Sequence, residues 1–590
     1  MRSTRTRIEL VLPPILLCVA LGCRSSVAGP IGERREVPPQ RGGTLHAATY
    51  VNVRSLDPAV AFDVASSALE GLIYDQLMGY DENGKLVPQL AETVDMSSDG
   101  KRYVFTLRPR VLFHDGKELT ASDVKRSIER SLHHDTPCPV ASYYERIVGF
   151  AAYHDGKAPE LTGVEVAGSR AIAINLSEPD ATFLHVMALP IVTPVCESAG
   201  RSFQRDFTLR PCGTGPFRVL EYNPNQRIRL ERHQGYWRPG RPYLDGVEWQ
   251  LAVQTFVQRV KFERGELDYM RDFSEADSVL YRSSPAWQGF GEWEQPLNVY
   301  GIFMNNELAP FDNVHVRRAV AFAIDPRVVE SVYPGHITAR HRVIPPTLLD
   351  PGSDAIAQSH DLGRALEEMK LAGLAYDPVA GKGGYPKEIP YLAVVDTFAQ
   401  QAAEIFQQQL AKIGIRIRIE LLSFPSYLAR STRRKNALMG YVGWNADYAE
   451  PSTFLEPSFA SSSILDEESM NAAFFSDRTF DELLKKARRS TDALERDVLY
   501  RRAEDRVLEE APWAVTYSYR YFELWQPYMH GYRPHPVLTQ YLRNAYFDLE
   551  QRRARTRGDS PSRGALAAFA RRGRGAPATT LALSLLGASR

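Results

Sequence analysis

The segment Gly443-Trp444-Asn445-Ala446-Asp447-Tyr448-Ala449-Glu450-Pro451 sets one carboxylate beside an indole and a phenol in a stretch rich in turn formers. An aspartate near an aromatic face can make a charge-assisted hydrogen bond to an ammonium group, while the ring adds apolar contact and cation-π attraction. That is chemistry for holding a cation rather than for breaking a bond. The competing reading makes Trp444 a core residue and Asp447 a helix cap.

Other candidate constellations carry less. His133-His134-Asp135 lies near Cys138 and could be drawn as a metal site, but Pro137 and Pro139 mark a surface turn and no CxxC or HExxH spacing accompanies it. Cys212-Gly213-Thr214-Gly215-Pro216-Phe217 has two glycines at phosphate-loop spacing. Pro216 and a following strand stand where a helix N-terminus and a lysine would be needed. There is no Gly-x-Ser-x-Gly elbow. The expectation is a binding protein with no catalytic residue, no metal and no cofactor, and a secreted hydrolase is the alternative from another class.

The elements that must position Asp447 belong to a long chain. At 590 residues it exceeds one ordinary core, since domains run to ~150 residues. Apolar content of 44% and charged content of 24% are those of a soluble globular protein, and 71 basic against 71 acidic residues leave no net charge to draw nucleic acid or anionic lipid. Arg2, Arg5 and Arg7 precede an apolar run from Leu10 to Leu21, broken by Pro13-Pro14 and followed by Cys23. The run is shorter than the ~20 residues of a spanning helix and reads as a secretory signal. Small residues before Cys23 resemble a bacterial lipobox, which implies a lipidated Cys23 and a membrane-anchored, extracytoplasmic protein.

Three cysteines remain in the body, Cys138, Cys196 and Cys212. Cys196 and Cys212 are closest in sequence and both adjoin loop-like segments, so they are the preferred disulfide, although spacing alone does not settle connectivity. Residues 24–41 are Arg-, Pro-, Gly- and Ser-rich, as a tether would be. The run Ala65 to Met78 has helical spacing, and Thr120-Ala121-Ser122-Asp123 reads as an N-cap and helix start. Short alternating segments such as Tyr103 to Leu107 and Ala171 to Leu176 read as half-buried strands. Beyond Asn305 helices over Val314 to Ile324, Asp361 to Ala372, Thr397 to Ile413 and Thr479 to Glu510 alternate with strands over Ile389 to Val395 and Ile415 to Leu421, a parallel-sheet pattern. Trp513 to Trp525 reads as a strand with Tyr517, Tyr519 and Tyr521 on one face. The basic end from about Arg552 reads as a disordered tail.

In order and spacing, Gly42-Gly43-Thr44-Leu45, Ser55-Leu56-Asp57-Pro58, Leu86-Val87-Pro88-Gln89-Leu90-Ala91-Glu92, Phe113-His114-Asp115-Gly116, Thr120-Ala121-Ser122-Asp123-Val124, Gly213-Thr214-Gly215-Pro216-Phe217, Tyr236-Trp237 and Pro310-Phe311-Asp312-Asn313-Val314 resemble the family 5 extracytoplasmic solute-binding proteins of ABC transporters, the peptide and nickel group, and its oligopeptide-binding members most closely. The resemblance runs from about Gly42 to Leu549. It implies an α/β, two-lobed periplasmic binding protein fold (type II, cluster C), with an extra subdomain in the first lobe and hinge closure over the ligand. The expected division is a signal peptide at 1–22, a tether at 23–41, a first-lobe main domain from 42–85, 211–300 and 515–549, its extra subdomain at 86–210, a second lobe at 301–514, and a disordered tail at 550–590.

By the same resemblance Asp447 corresponds to the aspartate that pairs with a peptide's α-ammonium. Trp444, Asn445, Tyr441, Tyr143, Phe62 and Val64 are expected near the ligand. The implied partners are a peptide, a permease with its ATPases, and the membrane through the lipid at Cys23, with no nucleic acid and a monomeric state. The chain departs from some oligopeptide binders in carrying Tyr441 where a basic residue stands and in lacking a histidine near Thr397. Nickel complexes, opines, sugars and a sensory role are the family's other possibilities.

Overall fold

The computed structural model describes residues 36–556 except 62, 295–296 and 353–354. Signal, Cys23 and residues 557–590 lie outside the described residues. Three larger sheets organise the chain. The first is four-stranded, with Thr44–Ala48 parallel to Gly246–Gln250 and Arg227–Arg232 and Phe217–Asn223 following antiparallel. The second is antiparallel, in the order Ala91–Met96, Arg102–Leu107, Ala171–Asn175, Val164–Val166. The third is six-stranded, in the order Ile337–Ala339, Trp513–Tyr519, Asn298–Met304, Met439–Asn445, Glu388–Val394, Arg416–Leu422.

Local chemistry explains the second sheet. In Arg102–Leu107 burial alternates, with Tyr103, Phe105 and Leu107 inward, as a period of two requires. Helix Ala121–Leu132 starts with a full capping box between Thr120 and Asp123, and Val124, Ile128 and Leu132 bury one stripe against the sheet. The disulfide joins Cys196 to Cys212, leaving Cys138 a free, half-buried thiol. His133 Nδ1 accepts the Asp135 N–H at 3.1 Å, so the His-His-Asp run closes a turn with one of its nitrogen lone pairs engaged.

The six-stranded sheet is covered on both sides. Ile302 and Met304 join the core beneath helix Val314–Ala323, while Val299 and Phe303 join the core built on Phe454, Phe459 and Trp513. Continuous apolar strands follow from two buried faces. Glu388–Val394 and Arg416–Leu422 are parallel and joined through helix Thr397–Ala411, a βαβ unit.

Four expectations from sequence are corrected. The helix expected to reach Met78 ends at Ile73, because Tyr74 turns extended and its hydroxyl donates to Leu56 O at 2.7 Å. The helix expected over 479–510 is two, Arg478–Arg489 and Ala493–Glu510. Asp492 breaks it by accepting the N–H groups of Leu494 and Glu495. The strand expected over 513–525 is split. Trp513–Tyr519 belongs to the six-stranded sheet and Phe522–Trp525 to a small sheet with Tyr269–Met270 and Gly291–Trp293. Gly291–Trp293 of the small sheet is followed by Asn298–Met304 of the six-stranded one, and Trp513–Tyr519 of the six-stranded sheet by Phe522–Trp525 of the small one. Glu294 N donates to Tyr521 O at 2.9 Å, tying the two crossings together. Finally, residues 550–556 of the expected tail continue helix Leu549–Thr556. Arg552 donates to Asp268 at 2.9 Å and Arg555 to Glu263 O at 3.1 Å, and these partners offset the cost of burying two guanidinium groups.

Candidate functional site

Strand Met439–Asn445 runs through the middle of the six-stranded sheet and ends at its hinge side, where Asn445 faces Asn298 across the ladder. Gly443 is required there. A Cβ at that position would lie 2.1 Å from Cδ1 of Tyr300, whose ring lies against the bare backbone. Tyr300 stacks on Tyr441 at 5.7 Å and on Tyr517 at 5.4 Å, an aromatic wall built from three adjacent strands. Tyr427 closes it, donating its hydroxyl to Tyr441 O.

Past Asn445 the chain turns toward the first lobe. Ala446 N donates to Leu297 O at 2.7 Å and Asp447 N donates to the Thr453 hydroxyl at 3.0 Å, which fixes the backbone at Asp447 against the start of helix Ser452–Phe459. The helix-cap alternative fails: the cap position is Pro451 and has no side-chain bond. The partner of Asp447 is Tyr143, whose hydroxyl donates to Oδ2 from the turn Ala141–Tyr144. Burial pushes the Asp447 carboxyl up to about 7, outweighing the hydrogen bonds from Tyr143 and Thr453. Burial and the neighbouring Asp447 charge hold the Tyr143 phenol well above its ordinary value, so Tyr143 remains the donor.

Tyr448 plugs this junction. It is buried in the core of the antiparallel subdomain, edge-on to Tyr143 at 6.1 Å and 6.1 Å from His185. Tyr80 accepts the Ala449 N–H at 3.2 Å. Farther along the same contact, Arg488 bridges Asp180 at 2.9 Å and Glu456 at 2.8 Å. Asp447 is thus held where the two lobes meet.

Of the residues chosen from sequence, Asp447 and Tyr143 come into direct contact, and Tyr441, Trp444 and Asn445 share the strand leading to Asp447. Trp444 is only half-buried. Its indole N–H is shielded and has no hydrogen-bond partner among the described residues, a donor whose desolvation costs about 1–3 kcal/mol until something accepts it. Val64 opens helix Val64–Ile73, which Asp63 caps, and its side chain is exposed. No hydrogen bond, ring contact or core contact joins Val64 to Asp447. Phe62 lies outside the described residues. Tyr300 and Tyr50 are not among the residues chosen from sequence, and Tyr448 enters there only as the phenol beside Asp447. Tyr50 projects from the first lobe, with Asp272 accepting its N–H at 3.1 Å, and its phenol is raised by burial and then by Asp272 and, across the cleft, Asp396. Alternation in Asn298-Val299-Tyr300 was the available signal for Tyr300.

The model of the bacterial extracellular solute-binding proteins, family 5 middle, matches residues 85–466. The chain belongs to this family. It is 28% identical over 504 residues to the glutathione-binding protein GsiB of Salmonella typhi, covering 84% of this chain and 91% of that one. The structure superimposes on the ABC transporter-associated periplasmic binding protein DppA of Helicobacter pylori, in complex with the peptide STSA, with a TM-score of 0.72, 25% identity and coverage of 86% and 99%. For the clavulanic acid biosynthesis oligopeptide-binding protein 2 the TM-score is 0.78 at 23% identity, covering 89% and 99%, a likeness of fold. The family consists of solute-binding proteins of ABC transporters, and the fold is the two-lobed α/β arrangement of periplasmic binding proteins. Among the described residues no helix is long and apolar enough to cross a membrane.

Proposed function

We propose that this protein captures peptides bearing a free N-terminus in the cleft between its lobes and delivers them to an ABC permease, working as an extracytoplasmic lipoprotein anchored through Cys23. The observation that carries the reading is the buried carboxylate of Asp447, placed where the lobes meet and held by the neutral hydroxyl groups of Tyr143 and Thr453. An α-ammonium there would replace a costly lone charge with an ion pair. The unpartnered indole N–H of Trp444 and the backbone end of strand Met439–Asn445 supply groups for the peptide's own amides, by strand addition that ignores side-chain identity. The glutathione named for one relative is a tripeptide, and the ligand named for one structural neighbour is a tetrapeptide, which fits a site that reads the terminus. Val64 and Phe62 are proposed to border the ligand from the first lobe, and Asn445 and Tyr441 from the second.

The test is calorimetric titration of ligand-stripped protein with peptides of two to eight residues, glutathione included, beside N-acetylated copies. Binding by free peptides and its loss on acetylation is the expected result. Equal binding of both sets would remove the ammonium clamp, and binding by neither would turn the search to opines, sugars and metal complexes. For the anchor, Cys23→Ser is expected to move the protein from the membrane to the soluble fraction. Retention in the membrane would mean an uncleaved signal segment acting as the anchor.

A further inference from the structure

Several buried or half-buried arginines in this protein are matched by carboxylates. Arg130 has Asp57, Arg543 has Asp75, Arg342 has Glu504 and Asp505, and at the hinge itself Arg271 has Glu294. Three arginines a short way along the same hinge, exposed Arg282 and half-buried Arg340 and Arg520, are not. Arg282 comes from helix Glu275–Ser283 in the first lobe, Arg340 follows the edge strand Ile337–Ala339 of the second lobe, and Arg520 sits in the return crossing. Arg282 and Arg520 lie over the ring of Trp293 at 5.3 Å and 4.8 Å. Both also close on Gly335: its carbonyl accepts from Arg520 Nε at 2.6 Å, and a Cβ there would meet Arg282 Nη1 at 2.2 Å.

The protein engages little of their hydrogen-bonding capacity. Arg340 Nε donates to Ser518 Oγ at 2.8 Å, Arg520 to Gly335 O, and Arg282 Nη1 to Pro334 O at 3.4 Å. A guanidinium offers five N–H donors. Among the described residues none of the three has a carboxylate within ion-pairing distance. Glu330 makes its charge felt at Arg520, but more weakly than Arg282 does. Burial and the charge of Arg520 together lower the pKa of Arg340. Arg282 and Arg520 share one indole, and Arg340 and Arg520 are partly desolvated beside each other, so like charges there are costly unless an anion joins them.

We propose that Arg282, Arg340 and Arg520 form an oxyanion site at the hinge, distinct from the Asp447 group, which takes a carboxylate or phosphate between the two lobes. Planar guanidinium forks suit the paired oxygens of either group. Because Arg282 belongs to one lobe and Arg340 to the other, an anion held by both draws the lobes together at that edge. The site requires no peptide at Asp447, so its test is independent of the peptide reading.

The probe is inorganic phosphate, with glutarate as the carboxylate, titrated into the purified protein at constant ionic strength with chloride as the reference salt. Melting temperature and calorimetric heat are the readouts. Saturable binding is expected in the unaltered protein and a loss of about tenfold or more in Arg340→Gln and, separately, in Arg520→Gln. Circular dichroism and an unaltered melting transition in the chloride reference check that the variants fold. A peptide and its C-terminal amide then distinguish the sources. Weaker binding of the amide in the unaltered protein but not in Arg340→Gln makes the ligand's own carboxylate the anion, whereas equal binding of acid and amide makes it a free anion. Indistinguishable phosphate and glutarate responses in the unaltered protein and both variants, with acid and amide also alike, would overturn the site and leave the three arginines as pins for the 334–336 turn.

Discussion

Asp447→Asn is expected to weaken binding of free peptides by about 2–5 kcal/mol, or about 30- to 5,000-fold, while leaving the fold intact. The asparagine oxygen can still accept the Tyr143 hydroxyl, so what is removed is the charge that would neutralise an ammonium. Isothermal titration with one tight-binding peptide measures the effect, and unchanged affinity would exclude Asp447 as the anchor. The same carboxylate sets a pH dependence. Burial raises it to about 7 in the unliganded protein, and a bound ammonium favours its ionised form. Below that value the site must release a proton to bind, so affinity should fall about tenfold per pH unit. Above about 8 the ligand's α-amine loses its own proton, giving an optimum between the two. Asp447→Asn should abolish the acid limb.

The stability of the unliganded protein should carry the opposite sign from that of a salt-bridged aspartate. The folded-state value lies above that of an unfolded aspartate, so the contribution of Asp447 is fully present below about 4 and is lost as pH rises through about 7. Asp447→Asn removes that loss.

Arg130→Ala is expected to be the most damaging single change in the first lobe, costing about 3–5 kcal/mol. Arg130 reaches from helix Ala121–Leu132 to Asp57 with Nη1–Oδ1 at 2.9 Å and Nη2–Oδ2 at 2.6 Å, and both side chains are almost wholly enclosed, at 1% and 0% exposure. Nε donates to Ala199 O at 3.0 Å, and the guanidinium lies over Phe207 at 5.1 Å. Removing the cation leaves the Asp57 carboxylate buried without a counter-charge, and the antiparallel subdomain loses a pin to the segment that follows the first strand. Chemical denaturation of Arg130→Ala beside a double variant with apolar residues at both positions would separate the two contributions. The double variant should recover much of the loss, because no unpaired charge then remains. A single variant as stable as the unaltered protein would show that water reaches the pair.

Much of the chain's organisation was determined by short-range chemistry and was therefore legible without coordinates. The capping box of Thr120 and Asp123, the alternation of Arg102–Leu107 and the strand-helix-strand run from 388 to 422 each depend on neighbours within a few residues. The order of turn motifs from Gly42 onward was enough to indicate the family. Where the reading overran, a local polar group intervened: Asp492 capped a new helix inside what looked like one continuous periodicity. The lone strand over 513–525 failed for a different cause. Its residues alternate from Trp513 to Tyr521 and change phase at Phe522, and the packing of two separate sheets decides that Arg520-Tyr521 is a crossing between them.

The candidate site lies at that same limit. Sequence singled out Asp447 by its neighbours and by resemblance, but its Tyr143 partner lies 304 positions away. Its elevated pKa comes from enclosure by a subdomain that pattern reading treats as independent. The unmatched charge of Arg282, Arg340 and Arg520 was likewise invisible in a chain with 71 basic and 71 acidic residues. Composition balances charge over the whole molecule, whereas the tertiary structure determines which charges meet, because desolvation and ion pairing act through space over a few ångströms.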